Sequence, residues 1–234
     1  MSEIQLIELD TLDCRLEPSP WAFAHDNKGA IEAHWQGIVA RKPASFNGQI
    51  LLLHRWEIVD RVFRGAYHIS DYASFLAWRD FGHAGERRWN CFSMAALQAA
   101  DGAFLLGEMA DHTSNAGAIY FAAGTPDLSD LRGDLVDLDG SVMREMEEET
   151  GITADNVTVA SGWTAVLHGP RIAMMRNVRS SLQAPDLKKK IEVFLAGDDH
   201  AELSAMHIVA DRSDILPGRM PAFQCAYLEH KLAR

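Results

Sequence analysis

One stretch, Arg144-Glu145-Met146-Glu147-Glu148-Glu149-Thr150-Gly151-Ile152, constrains this chain more than any other. It sets three carboxylates at i, i+3 and i+4 directly before a helix-ending glycine, so helical periodicity gathers Glu145, Glu148 and Glu149 on one face. Like charges at i,i+4 repel by roughly 0.2 to 0.5 kcal/mol per pair. The middle and last turns of a helix also favour cations over anions. An arrangement unfavourable on both counts points to function, and a hard divalent cation is the simplest counter-charge. Mg²⁺ and Mn²⁺ favour carboxylate and water oxygens and are commonly held by a few carboxylates together with substrate phosphates, so this face suggests phosphate chemistry.

The flanking residues define the helix. Asp137 or Asp139 serves as N-cap, Val142 and Met146 make an apolar i,i+4 pair for the core, and Glu145 and the acids 147–149 fall on the exposed side. Gly151 supplies the left-handed C-terminal position and Ile152 the apolar contact that often follows it.

The same residues resemble the second half of the Nudix box, which in that family reads Gly-x5-Glu-x7-Arg-Glu-U-x-Glu-Glu-x-Gly-U, with U a bulky aliphatic residue. Every fixed position from Arg144 onward matches, with Met146 and Ile152 at the two aliphatic places. The first half departs. Counting back from Arg144 puts Val136 at the first glutamate and Asp130 at the first glycine. Asp137 and Asp139 are nearby acids that can substitute for that glutamate. Gly124, in Phe121-Ala122-Ala123-Gly124-Thr125-Pro126, is the more natural glycine because it follows an apolar, strand-like run; the loop is then about six residues longer than the family spacing.

The resemblance implies an α/β (α+β) fold, a Nudix-type α/β/α sandwich with a mixed sheet. It also implies metal-dependent attack of water on a diphosphate, releasing a nucleoside monophosphate and a phosphorylated remainder. Carried over residue by residue, Glu145, Glu148 and Glu149 are the ligands of Mg²⁺ or Mn²⁺, and Glu145, Glu148 and Arg144 are the catalytic set. Arg144 is expected to orient the ligand face, since a guanidinium can hold a carboxylate bidentately. Glu145 is the candidate general base within the box, with Glu192 and Glu202 as candidates outside it. Glu147 is expected to point away and be solvated. Gly124, Arg171 and Arg176 are the substrate-binding candidates; the two arginines, with Arg179, lie on or beside a strand expected after the box.

A formal net charge of -11 argues against a nucleic-acid or anionic-membrane surface as the main partner. The expected partner is a small-molecule nucleoside diphosphate derivative, met locally by metal and a few cationic side chains, and a homodimer stays open. Cys14, Cys91 and Cys225 are odd in number, far apart and outside any Cys-x-x-Cys spacing, and read as buried thiols in a reducing compartment. The opening Met1-Ser2-Glu3-Ile4 lacks a basic region followed by an apolar core, and the longest apolar stretch is interrupted by Gln98, Asp101 and Glu108. Neither a signal peptide nor a membrane span is expected, which makes the location cytoplasmic.

Asp101-Gly102 between the apolar runs 91–100 and 103–109 predicts a hairpin with a two-residue type I′ turn. A strand over 118–122 leads into the Gly124 loop. Residues 157–167, 171–178 and 206–210 read as strands, and 185–196 and 221–232 as helices. Before the box lie a helix over 28–39, a turn at Asn47-Gly48, strands over 49–53 and 61–68, and an aromatic helix over 71–78. The expected division is an α/β extension, 1–88, packed on a hydrolase domain, 89–234. Phe46-Asn47-Gly48 followed by strands is similar to the nucleotide-sugar branch of the family, though an Asn-Gly pair is more often simply a turn.

Other residues favour ordinary readings. The histidines lack metal-ligand spacing, Lys188-Lys189-Lys190 reads as a solvated face, and Trp56, Trp78, Trp89 and Trp163 read as core. The favoured function is a pyrophosphohydrolase acting on a nucleoside diphosphate linked to another moiety, nucleotide sugars slightly ahead of coenzyme A derivatives or dinucleotides. The alternative is a non-catalytic Nudix-fold module that senses a nucleotide metabolite.

Overall fold

A computed structural model describes residues 3–43 and 45–233. Strands β1 (Gln5–Leu9) and β2 (Thr11–Leu16) precede helices α1 (Ala22–Asp26) and α2 (Lys28–Arg41). The hairpin β3 (Gln49–Val59) and β4 (Val62–Asp71) runs into α3 (Tyr72–Asp80). Then come β5 (Asn90–Gln98), β6 (Phe104–Met109) and the short strands β7 (Ile119–Tyr120), β8 (Ala123–Gly124), β9 (Leu131–Arg132) and β10 (Leu135–Val136). The acidic segment forms α4 (Leu138–Thr150), followed by β11 (Val157–Val159), β12 (Trp163–His168), β13 (Arg171–Ser180), α5 (Ala184–Leu195), β14 (Leu203–Val209) and α6 (Ala222–Lys231).

The fold is α+β with two mixed sheets. The larger has the order β1-β12-β13-β5-β6-β14, with β11 on β13, β7 on β6 and β8 on β5; β13 and β5 run parallel and the other pairs antiparallel. Strand alternation sorts its side chains into two layers. Cys91, Ala95, Leu97, Ile172, Met174 and Val178 face one cluster with Val142 and Met146 of α4 and Leu187 and Ile191 of α5. Phe92, Met94, Ala96, Ala173 and Met175 face the other, with Phe223, Tyr227 and Leu228 of α6. This is the α/β/α sandwich.

The smaller sheet has the order β3-β4-β2-β10-β9. Leu51, Leu53, Phe63 and Tyr67 pack into the same cluster as α4, while Ile50 and Leu52 face an aromatic cluster of Trp21, Trp35, Phe75 and Trp78. Pairings cross residue 88 in both directions: β1 joins the larger sheet through β12, and β10 joins the smaller one through Leu135 opposite Arg15.

Local chemistry explains where elements differ from the sequence reading. The Asp101-Gly102 hairpin has a three-residue loop over 100–102, closed by the Ala99 N–H donating to the Ala103 carbonyl at 2.8 Å. Only Gly102 has positive φ, at 91°. A type I′ turn needs positive φ at both central residues, and Asp101 supplies none. Its carboxylate instead accepts from the N–H groups of Ala103 and of Ala184, at the start of α5. The Asn47 side chain is likewise structural, accepting from the Ala73 N–H at 2.8 Å in the first turn of α3.

On β4 of the smaller sheet, His68 is 3% exposed and its Nε2 accepts from Arg88 Nε at 3.1 Å. Burial, then the charges of Arg88 and His54, lower its pKa from 6.5 to about 4. The unfolded imidazole takes a proton near 6.5, the folded one only near 4. The stability this group contributes is therefore complete above pH 6.5 and lost as the pH falls through 4, by about 3 kcal/mol. Urea midpoints should drop across that window and drop less in His68→Asn; an unchanged slope in the variant would contradict the assignment.

Candidate active site

Helix α4 is built as its sequence requires. Asp137 is the N-cap, its Oδ1 accepting from the Gly140 N–H at 2.9 Å. Val142 and Met146 are fully buried, and Gly151 ends the helix with φ 67°. The helix packs on β5 and β8, and β8 thereby crosses its acidic face.

That crossing decides where the three glutamates stand. A Cβ built on Gly124 would fall 2.0 Å from Glu145 Oε1, so a glycine is what lets β8 run this close to the carboxylate. Glu149 is 6% exposed, not on the open side as its helical position suggested, because β8 covers it. Its Oε1 accepts from the Ala123 N–H at 3.1 Å, while its Oε2 is buried without a partner among the described residues. Glu148 and Glu147 are exposed.

Arg144 holds the face together. Its Nη2 donates to both oxygens of Asp130, at 3.0 and 3.3 Å. Its Nη1 lies 2.9 Å from Glu145 Oε1 and 3.0 Å from Glu148 Oε2. The acid that meets this guanidinium is thus Asp130, whereas Asp137 caps the helix and Asp139 pairs with Arg176 at 3.1 Å. Asp130 is 2% exposed and also accepts from the Asp127 N–H, closing a capping box before β9. The pattern Asp127-x-x-Asp130 is the signal that could have located it.

The electrostatics are those of crowded acids. Burial pushes the Glu145 carboxyl up to about 7 against the lowering pull of Arg144, and Glu148, Asp130 and Glu202 add to the rise. Burial also lifts Glu149 well above the ordinary carboxylate range; the Ala123 N–H opposes this and Glu145, Glu202 and Glu148 reinforce it. Glu202, just before β14, is thus close enough to act on both. Glu192 stands apart on α5, paired with Lys188 at 3.6 Å.

These residues fit a hard divalent cation. The donors are carboxylate oxygens, and one of them, Glu149 Oε2, is buried without a partner among the described residues. Arg144 occupies Glu145 and Glu148, and among the described residues no three His, Cys, Asp or Glu side chains stand in ligating arrangement. Ligation therefore needs these two carboxylates to turn from the guanidinium. Gly124→Ala tests the close approach. The clash is with a carboxylate that Arg144 holds, so stability should fall by about 1 to 3 kcal/mol. A displaced Glu145 should lower kcat/KM about a hundredfold. Native kinetics in the variant would contradict this.

On the α6 side of the larger sheet, β5 and β6 pair only at Gln98 opposite Phe104 and then diverge. The gap admits β8 against β5 and β7 against β6, and a cleft of about 310 Å³ opens there. Gly124 lines it together with Tyr72, Phe75, Phe92, Tyr120 and Phe223, and with Arg79 and Arg171. Tyr120 links cleft and carboxylates: burial lifts its phenol to about 12, and Glu149 and Glu202 contribute. Arg171 and Gly124 therefore share a cleft. Arg176 does not join them: it faces the α4 layer, donating to the Gly162 carbonyl at 2.7 Å and lying 4.7 Å from the Trp163 ring. Arg179 bonds Asn177 at the surface. None of the four tryptophans weighed above lines the cleft. None of residues 144–152 lines this cleft, which meets the acidic face of α4 only through β8; a larger hollow of about 690 Å³, bounded by Asp10, Arg61, Asn177 and Lys231, includes neither Gly124 nor any of residues 144–152. Among the described residues no helix is long and apolar enough to cross a membrane.

No family model matches the chain, and no curated protein does. Solved structures with a similar fold include a Nudix hydrolase from M. Smegmatis, RenU, at 12% identity over 75% of this chain and 91% of that one, TM-score 0.38. They also include the MutT protein from Methanosarcina mazei Go1, at 19% identity over 63% and 96%, TM-score 0.42. A third is the E. coli ORF135 protein, at 19% identity over 62% and 91%, TM-score 0.37. The likeness is one of fold and assigns no residue a role.

Proposed function

We propose that this chain is a Nudix-type, metal-dependent pyrophosphohydrolase that cleaves the diphosphate of a nucleoside diphosphate linked to another moiety, nucleotide sugars being slightly favoured. The observation that carries the reading is the crowded carboxylate face of α4, held by Arg144 and crossed by Gly124 at the edge of an aromatic cleft.

Glu145, Glu148 and Glu149 would hold Mg²⁺ or Mn²⁺. Such an ion, when bound, offsets charge on phosphate oxygens and lowers the pKa of a coordinated water. Arg144 orients Glu145 and Glu148 through its anchor on Asp130. Glu145 is the candidate within the box to accept a proton from water. Glu202 is the second candidate for that role. Tyr72, Phe75, Phe92 and Phe223 offer ring faces and edges to a base. A small-molecule substrate, no nucleic acid and no membrane complete the reading; residues 1–88 act as an extension that supplies α3 to the cleft, and the location is cytoplasmic.

The test is phosphate-coupled hydrolysis of UDP-sugars, ADP-ribose, NADH, coenzyme A and nucleoside triphosphates with Mg²⁺ or Mn²⁺. Cleavage of one class, abolished by a chelator, is expected. Tight binding of one compound with no cleavage of any would favour a nucleotide-metabolite sensor instead.

A further inference from the structure

The cleft beside Gly124 carries a concentration of positive charge that is unusual for a chain of net charge -11. Arg171 and Arg79 both line it. Among the described residues no carboxylate pairs with Arg171; its guanidinium lies 5.7 Å from the Phe223 ring. Burial, and after it the charge of Arg79, lower its pKa, so the two cations share one neighbourhood. Among the described residues Arg79 is paired only with Asp80, at 2.7 Å. Asn90, also on the lining, holds a buried side-chain oxygen without a partner among the described residues. A partly desolvated guanidinium facing a like charge is unfavourable unless an anion enters, by the same reasoning that applies to the acids of α4.

Arg171 and Gly124 reach the cleft from opposite sides of β5. Arg171 stands opposite Asn90 on β5, whereas Gly124 stands opposite Ser93, on the other side of that strand. Three residues of strand and two strand spacings place the Arg171 backbone roughly 10 Å along β5 and roughly 10 Å across it from Gly124. At that end of β5 the Arg171 guanidinium lies over the Phe223 ring and near Arg79.

We propose that the cleft takes the part of the substrate outside the scissile diphosphate, and that this part carries an anionic oxygen group of its own, a phosphomonoester or a carboxylate, held by Arg171 and Arg79. The inference deepens the hydrolase reading and rests on it for the seat of the diphosphate. It narrows the substrate class to diphosphates with an additional anion. The aromatic side chains around the arginines suit a nucleoside next to that anion, and Asn90 Oδ1 suits a hydroxyl or amino group.

The experiment is calorimetric titration of the full chain with matched pairs: 2′,5′-ADP and 3′,5′-ADP against 5′-AMP for the phosphomonoester, and UDP-glucuronate against UDP-glucose for the carboxylate. In at least one pair the more highly charged member should bind about tenfold more tightly or better, the range of a charge-assisted hydrogen bond. The preference should weaken with salt and shrink toward unity in Arg171→Met and in Arg79→Met. Arg79, at the end of α3 with a side chain 36% exposed, covers the case in which Arg171→Met fails to fold. Equal affinities within every pair, or a preference unchanged in the folded variants, would overturn the proposal. Hydrolysis without preference would leave the enzyme reading standing and sink this one; preference without hydrolysis of any diphosphate would support the anion site and count against the enzyme.

Discussion

Glu148→Gln should lower kcat/KM about a thousandfold, a loss of about 4 kcal/mol of transition-state stabilisation, while leaving folding stability within about 0.5 kcal/mol. The two halves of this result have separate causes. The side chain is 58% exposed and, among the described residues, pairs only with Arg144, at 3.0 Å; exposed pairs contribute roughly 0 to 1 kcal/mol. Glutamine retains an acceptor oxygen and nearly the same volume, but removes a charge from the proposed ligand set. Steady-state kinetics beside denaturant unfolding separate the two. A variant with native kinetics would exclude Glu148 from the site, and one that lost both activity and stability would make it a structural residue.

Asp130→Ala should behave in the opposite way, as a failure of structure that takes function with it. Asp130 is nearly inaccessible and accepts two bonds from Arg144 and one from the Asp127 N–H. Removing it leaves the Asp127 N–H unpaired and strips the Arg144 guanidinium of its anchor, with Glu145 and Glu148 as its remaining partners. Leaving a buried polar group unsatisfied costs about 1 to 3 kcal/mol, and stability should fall by that order. Arg144, released, can turn fully onto Glu145 and Glu148, and loss of an orienting partner typically lowers activity about 10- to 100-fold. Asp130→Asn keeps the acceptor for Asp127 but not the charge, and should fall between. Native unfolding midpoints and kinetics in Asp130→Ala would show that the pair neither supports the loop nor orients the acids.

What the sequence could say about this site follows from how local each signal is. The acid spacing, the cap at Gly151 and the Val142–Met146 pair are set within one helix, and all three appear in α4 as the sequence indicates. The burial of Glu149 depends on β8, which is 25 residues away in sequence, so helical periodicity alone assigned it to the wrong side. Asp130 escaped because the family register placed a glycine there and because its partner lies 14 residues on. The Asp101-Gly102 hairpin was legible as a hairpin, but loop length depends on the strand register, which a dipeptide does not fix. The entry of β1 into the larger sheet and the meeting of Arg79 with Arg171 are contacts between distant segments with no local pattern to announce them. Arg171 and Arg176 looked equivalent in the chain; odd-numbered spacing on a strand sends them to opposite faces, and only the sheet's neighbours determine which face meets the cleft.

The most direct measurement is the rate of phosphomonoester release from a cleaved nucleoside diphosphate derivative as Mn²⁺ is titrated back into chelator-treated protein. Activity absent in the chelator and restored saturably by Mn²⁺, with no restoration in Glu148→Gln at the same concentrations, is the expected result. Hydrolysis that persists in the chelator, or that Mn²⁺ restores equally in the native chain and in Glu148→Gln, would contradict the assignment of the α4 carboxylates as the metal-holding face of a pyrophosphohydrolase.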